Sequence, residues 1–578
     1  MRPLYLPLLA LALTASAPPK PSPDARFDRF KNQLLLDLWR QNPDFAASQG
    51  YHKYDSLLVL PDAAQRRSEA AFVAGKLRAL AGFGLDSLSV GNQIDYRLLR
   101  NELVAARWRA DTLRDWQWNP ASYNLGASVG DLLNGHHYPL TRRLRNISDK
   151  LAQAPAYYYA AQASISQPTR EHTELAVVQN EGGLTVFGAA LADSVQRSAL
   201  SAAEKQLLTQ RIAAARQATQ GYIDFLKKDV LTGGHFRSFR IGKERFARKF
   251  ALEIQSRYSA QQVYGLALRH KAALLHDMGR RAARLFPTYC AGQPVPADTL
   301  QLIRQVLDQL TRKHASREGF VAAVKQQIPT LVQFVNDHHL LTQDASKPLV
   351  VRETPLYMRG GGAGASVSAP GPYDAQANTY YNVEPLPAEW SAERAESYLR
   401  EYNDYTLQIL NIHEAIPGHY TQLVYANRSP SLVKSIFGNG AMVEGWAVYT
   451  EQMMLENGYG HNTDEIWLLW DKWNLRTTLN ALVDNLVQTQ NASEADITTL
   501  LTREGFQEAA EAAGKWHRAT LSQVQLSSYF TGYTEIRALR DEVQQQQGNK
   551  FSLQRFNEQF LSYGSAPVKY IRQLMLRR

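Results

Sequence analysis

Two short stretches concentrate the residue types that bind a divalent cation, HEAIPGH at 413–419 and EGWAVYTE at 444–451. Two imidazoles and a carboxylate, with a fourth position left to water, form the ligand set of many catalytic zinc sites. Cys290 is the only cysteine, which removes thiolate sites and intrachain disulfides from consideration. In a helical zinc motif the histidines stand four apart, because about 100° of rotation per residue returns the fourth position to the same face. His413 and His419 are six apart, and on a straight helix that turns them about 120° from each other. The residues between them offer a remedy. Pro417 has no N–H to give to the carbonyl four residues back, and Gly418 tolerates dihedrals that other residues avoid. A bulge that loops out two residues restores a near four-residue relation, so that both imidazoles meet one ion while Glu414 is placed as general base. Glu444 is the expected third ligand, and Glu451, seven residues on along the same helical face, is placed to accept a hydrogen bond from a ligand histidine. Each residue alone reads equally well as a solvated helix position; the joint pattern carries the metal reading. The histidine pairs at 136–137 and 338–339 lack carboxylates in ligand rhythm, Asp337 apart, and read as loop or surface residues.

The elements that must position these residues are helices. From Asp24 to about Asn336 apolar residues recur every three or four positions, as in 203–229, 259–285 and 301–314. Between 350 and 388 the pattern changes to a loop with one or two short strands, and helical periodicity returns from 389 to the end. The glycine run within 355–365 lacks the Gly-Lys-Ser/Thr continuation of a phosphate loop. The expected fold is mainly α, a large multi-helix body with a deep cleft, one small β element and a gluzincin-like metal site. The regions are a signal peptide at 1–17, an N-terminal helical region at 24–345 and a metal-site region at 346–578, the last two forming one continuous body. The segment AsnThrTyrTyrAsnVal at 378–383 is either an edge strand, offering Tyr380, Tyr381 and Asn382 to an extended substrate, or a packing strand.

Beyond the two metal segments, the stretches YFTGYTEIRALR and FNEQFLSYGSAPVKYI follow in order. Together with HEAIPGHYTQ and GNGAMVEGWAVYTEQM they resemble the bacterial family called domain of unknown function 885, whose members look like gluzincin-type metallopeptidases. The resemblance is specific over roughly 350–578 and rests on helical content and length before that. It implies zinc ligands at His413, His419 and Glu444 and a catalytic base at Glu414, and it places Arg518, Gln525, Tyr529 and Gly532 at family positions. Tyr529 or Arg518 is then a donor to an oxyanion or to a substrate carboxylate. The two are eleven residues apart, about three helical turns, which on one helix puts them on one face. Three positions depart from the family pattern: Tyr420 stands where a second histidine often follows, Gln488 closes a stretch lacking the usual glycine and histidine, and Asn557-Glu558 replaces His-Asp.

The reading is therefore a zinc-dependent hydrolase with one ion, a peptidase in which Glu414 moves the proton. Its alternatives are a metallo-amidase or esterase on small acyl amides, and an exported helical binding protein with a degenerate site. There is no Gly-X-Ser-X-Gly elbow. The net charge of +10 is scattered and reads as a solvated surface, without a nucleic-acid partner. Residues 1–17, an Arg before an apolar run ending in Ala-Ser-Ala, have the layout of a secretory signal and are too short to span a bilayer. The expected location is periplasmic or secreted, with no stable membrane association once the signal is removed.

Overall fold

Helices begin where short polar side chains replace missing backbone partners. Ser22, Ser259, Asn403, Asn439 and Thr463 each accept a backbone N–H at the start of the helices Pro23–Gln41, Ala260–Tyr289, Asp404–Glu414, Gly440–Glu456 and Asp464–Thr489. The computed structural model describes residues 21–347, 349–354, 364–374 and 377–576. The expected signal at 1–17 and most of the glycine run lie outside the described residues. The chain is mainly helical with one small sheet, as the periodicity indicates.

The apolar faces of these helices meet in separate cores. Helices between Leu125 and Phe225 enclose one, around Tyr158, Phe187 and Tyr222. The N-terminal helices enclose a smaller one, around Phe27, Leu34 and Leu98. The helices Arg170–Val186 and Ala189–Arg197 are together apolar enough to cross a membrane, but Ala176, Phe187, Leu191 and Val195 belong to the first of these cores. The largest core runs from Leu113 to Ile571 and so through both regions distinguished in the sequence. Helix Ala260–Tyr289 packs along Asp464–Thr489, where His270 Nε2 lies 2.8 Å from Asn474 Oδ1. Asn439, while capping its own helix, donates to the carbonyls of Glu253 and Ile254.

The sheet contains three strands, β1 (Leu349–Glu353), β2 (Ala365–Ser368) and β3 (Thr379–Val383), in the order β1-β3-β2. β3 pairs in parallel with β1 and antiparallel with β2, so it is the central strand and the edge-strand reading gives way to the packing one. Both of its hydrogen-bonding sides are taken. Tyr381 and Asn382 are buried: Tyr381 donates to Asn411 Oδ1 at 2.9 Å, and Asn382 bridges Arg352 and Ser368. Neither presents a face to a substrate. Tyr380 is half-buried beneath the Arg352 guanidinium, 3.8 Å from its ring centroid. The sheet's role here is to seat helix Asp404–Glu414 through Asn411.

Candidate metal centre

Helix Asp404–Glu414 buries Leu407, Ile409, Leu410 and Ile412, and that packing holds His413 at its last turn. The break between the histidines is more complete than a two-residue bulge. The helix ends at Glu414, Ala415 takes φ −108° and ψ −89°, the Ile416–Pro417 peptide is cis, and a new helix starts at His419 and runs to Ala426. Gly418 N donates to Ile412 O at 3.0 Å, and a Cβ on Gly418 would lie 1.9 Å from His413 O, so only glycine fits this reversal. Trp446 Nε1 donates to Pro417 O at 2.9 Å, which ties the break to the helix that carries Glu444.

The three expected ligands converge. His419 Nε2 and His413 Nε2 lie 3.3 Å and 3.8 Å from Glu444 Oε2, and the two imidazole rings stand 4.8 Å apart at 88°. In a tetrahedral site with bonds of about 2.0–2.1 Å, ligand atoms are about 3.3 Å apart and their lone pairs converge from different planes. The donor set fits zinc by type, spacing and ring orientation. Glu451, fully buried, places Oε1 2.7 Å from His413 Nδ1 and accepts from Trp473 Nε1 at 3.0 Å. With Nδ1 engaged in this way, Nε2 of His413 is the nitrogen turned to the cluster.

The charges of the cluster's side chains act on one another. Burial opposes charge on His413, but the Glu444 and Glu451 carboxylates outweigh it and push its pKa up to about 10. Burial likewise works against the Glu444 carboxylate, and the two imidazoles hold it well below the usual range. Glu414 is raised, chiefly by burial and further by Glu444, while both imidazoles pull the other way.

Arg518 and Tyr529 do not share a helix. Arg518 ends helix Ala509–Leu521 and Tyr529 begins Ser527–Gln547, and the turn between them brings the side chains together: Arg518 Nη2 donates to Tyr529 Oη at 2.9 Å and to Gln525 Oε1 at 2.6 Å. Buried Asp484 accepts from Val524 N, Ser527 N and Ser527 Oγ and so fixes that turn. Burial raises the Tyr529 phenol, and the Glu444 carboxylate raises it further. Glu444 owes its position to the crossing of helices Gly440–Glu456 and Ser527–Gln547: a Cβ on Gly445 would meet Gly532 C at 2.3 Å, and one on Gly532 would meet Ala441 O at 1.7 Å.

The departures at Tyr420, Gln488 and Asn557 fall in packing. Tyr420 bonds the Lys347 carbonyl, Gln488 joins Ile241 N to Ala519 O, and Asn557 joins Tyr449 to Leu340 O. Sequence reasoning missed Trp473, and with it Arg476 one turn later on the same helix, its guanidinium 4.9 Å from the Trp473 ring centroid. His137 lies in a loop, as expected, but the fold brings a carboxylate to it that its own segment lacks. That residue is half-buried, with Nε2 3.0 Å from the buried Asp55, whose other oxygen is 3.3 Å from His52 Nδ1. The two rings are stacked 3.4 Å apart at 4°, and an ion cannot lie in two parallel ring planes at once, so this trio is a hydrogen-bonded clamp. His338 and His339 are exposed, as expected of loop residues.

The fold is mainly helical, and in it two imidazoles and a carboxylate, backed by a second carboxylate, meet in one buried cluster whose donor types suit a divalent cation. The chain belongs to the bacterial family of proteins of unknown function DUF885, whose family model matches residues 43–575. It is similar to the structure of a candidate lipoprotein of unknown function from Shewanella oneidensis, at 50% identity and TM-score 0.86 over 95% of this chain and 100% of that one. A candidate lipoprotein from Colwellia psychrerythraea shares the fold at 16% identity and TM-score 0.78, over 96% of this chain and 98% of that one. No curated protein matches it.

Proposed function

We propose that the chain is an exported zinc-dependent hydrolase that cleaves peptide bonds, with His413, His419 and Glu444 as ligands to one ion. The observation that carries the reading is the convergence of the three donor atoms beside Glu414, with His413 Nδ1 held by Glu451. Export is supported by the signal-like layout of 1–17 and by relatives described as candidate lipoproteins. Zinc held there supplies a Lewis acid that makes water nucleophilic near neutral pH.

The remaining work falls to the chain. Glu414, raised by burial, takes a proton from the attacking water and returns it to the leaving amine. Tyr529 stays protonated, and because its oxygen already accepts from Arg518, its own proton is directed outward to a developing oxyanion. Trp473 and Glu451 keep His413 from turning.

Elemental analysis of the purified protein, followed by a mixed-peptide digest read by mass spectrometry, tests the reading. One zinc per chain and peptide products that vanish in Glu414→Gln are expected. A protein that takes no metal from zinc-containing buffer overturns it, and bound zinc with turnover of acyl amides alone replaces peptidase by amidase.

A further inference from the structure

Beside the ligand cluster, basic side chains outnumber the acidic groups that face them. Helix Asp464–Thr489 carries Lys472 and Arg476, and helix Ala509–Leu521 carries Lys515 and, one turn on, Arg518. Two carboxylates answer these four cations: Glu401 pairs with Lys472 at 2.8 Å, and Glu511 with Arg476 Nη2 at 2.5 Å. Lys515 is 4% exposed, and among the described residues its ammonium has neither a hydrogen bond nor an ion pair. Arg476 Nη1 is likewise buried without a partner. A charge on so buried a side chain without a partner is costly, and burial together with the Arg476 charge pulls Lys515 down to about 7. One chain of contacts ties these donors to the His413 cluster: Arg476 lies on Trp473, which bonds Glu451, which holds His413. Lys515 sits one turn from Arg518, which bonds Tyr529.

We propose that Lys515, Arg476 Nη1 and Arg518 form a carboxylate subsite, so that the substrate is a peptide or acyl-amino acid whose free terminal carboxylate lies next to the scissile bond. The proposal rests on the hydrolase reading for the reaction but not for the binding. An arriving carboxylate supplies the acceptors that Lys515 and Arg476 Nη1 lack, with the Arg518 charge one turn from Lys515, and in a desolvated site charge-assisted bonds of this kind are the strong ones. It also sets the outcome. Water adds to the acyl carbon, the C–N bond breaks, the proton held by Glu414 goes to the nitrogen, and one C-terminal amino acid leaves per turnover. A C-terminal amide brings no negative charge, leaves Lys515 unpaired and is rejected.

The test offers matched N-acetylated tripeptides, as free acids and as C-terminal amides, to the full-length zinc-loaded protein. Amides are expected to be cleaved with a kcat/KM at least about 100-fold lower, the scale of losing a buried charge pair. Lys515→Met should bring the acids down to the level of the amides, and Lys515→Arg should recover part of the difference. Acids and amides cleaved within threefold of each other overturn the subsite and leave the hydrolase standing. Calorimetric titration of the same pairs onto Glu414→Gln separates the two ideas when nothing is cleaved. Acid binding at least tenfold tighter than amide binding, abolished by adding Lys515→Met, keeps the subsite while the hydrolase falls; equal binding, or none, overturns the subsite as well. The acid–amide comparison needs no substitution at Lys515, so a folding defect in that variant does not obscure the answer.

Discussion

At the level of single residues, the proposed function divides between groups that would hold the ion and groups that would move protons, and substitutions should separate them. Glu414→Gln removes the base and keeps the ligands, so zinc content should stay at one per chain while turnover falls below detection in a peptide assay. Glu444→Ala deletes a ligand, and zinc measured after dialysis should drop with activity; equal zinc in wild type and variant would show the ligand to be misassigned. Tyr529→Phe loses only a hydroxyl, and kcat should fall by about 10²–10³, the scale for one oxyanion donor, with melting temperature and zinc unchanged. Activity within threefold of wild type would leave Arg518 or the ion to do that work. His413, Glu414, His419, Glu444 and Glu451 were legible because each lies in a short motif whose residue types announce cation chemistry. Lys515 was not. Glu511 and Lys515 are four apart on an alanine-rich helix, the spacing of an ordinary solvated pair, and nothing local shows that Glu511 turns to Arg476 instead.

Among the elements, the decisive features are a helix break and a helix crossing. The Pro417-Gly418 interruption was readable from residue chemistry, although the chain restarts a second helix rather than bulging one. The crossing was not readable, since Gly445 and Gly532 are 87 positions apart and only packing brings them together. Gly532→Ala should cost about 1–3 kcal/mol, because its Cβ meets backbone that has no rotamer to yield. The same push moves the turn that carries Glu444, so zinc affinity should fall even in protein that remains folded. A variant with wild-type melting temperature and zinc affinity would show that the helices can separate freely. The strand at 379–383 was visible as a β segment, but its central place was not, because both partners precede it and the parallel one pairs with it from beyond β2.

Across the whole molecule, the helices were legible from their periodicity, whereas the joints between them were not, being hydrogen bonds between positions far apart in the chain. One such joint carries a pH dependence. His172, buried with its ring edge-on to Trp118, has Nδ1 2.7 Å from Thr169 Oγ1 and Nε2 3.0 Å from the Leu521 carbonyl, at the end of the helix that carries Arg518. Burial pushes its pKa from 6.5 down to about 4, so the folded protein holds it neutral over a range in which the unfolded chain would protonate it. The stability it confers is complete above about pH 6.5 and is lost as pH falls through about 4, with an upper bound of about 3 kcal/mol. Melting temperature measured from pH 7 to pH 4 should therefore fall more steeply in wild type than in His172→Gln. Parallel curves would mean that the joint does not titrate.

The glycine crossing also has a consequence for descent. Each missing Cβ faces main chain rather than a side chain, so no change at a neighbouring position makes room for it, and neither glycine can drift while the other waits. A lineage that keeps this arrangement of helices has no single-step exit from either position, whatever becomes of its substrate. Aligned sequences of relatives that preserve the crossing should therefore show glycine at the positions of both Gly445 and Gly532, including in members that have lost the ligand histidines.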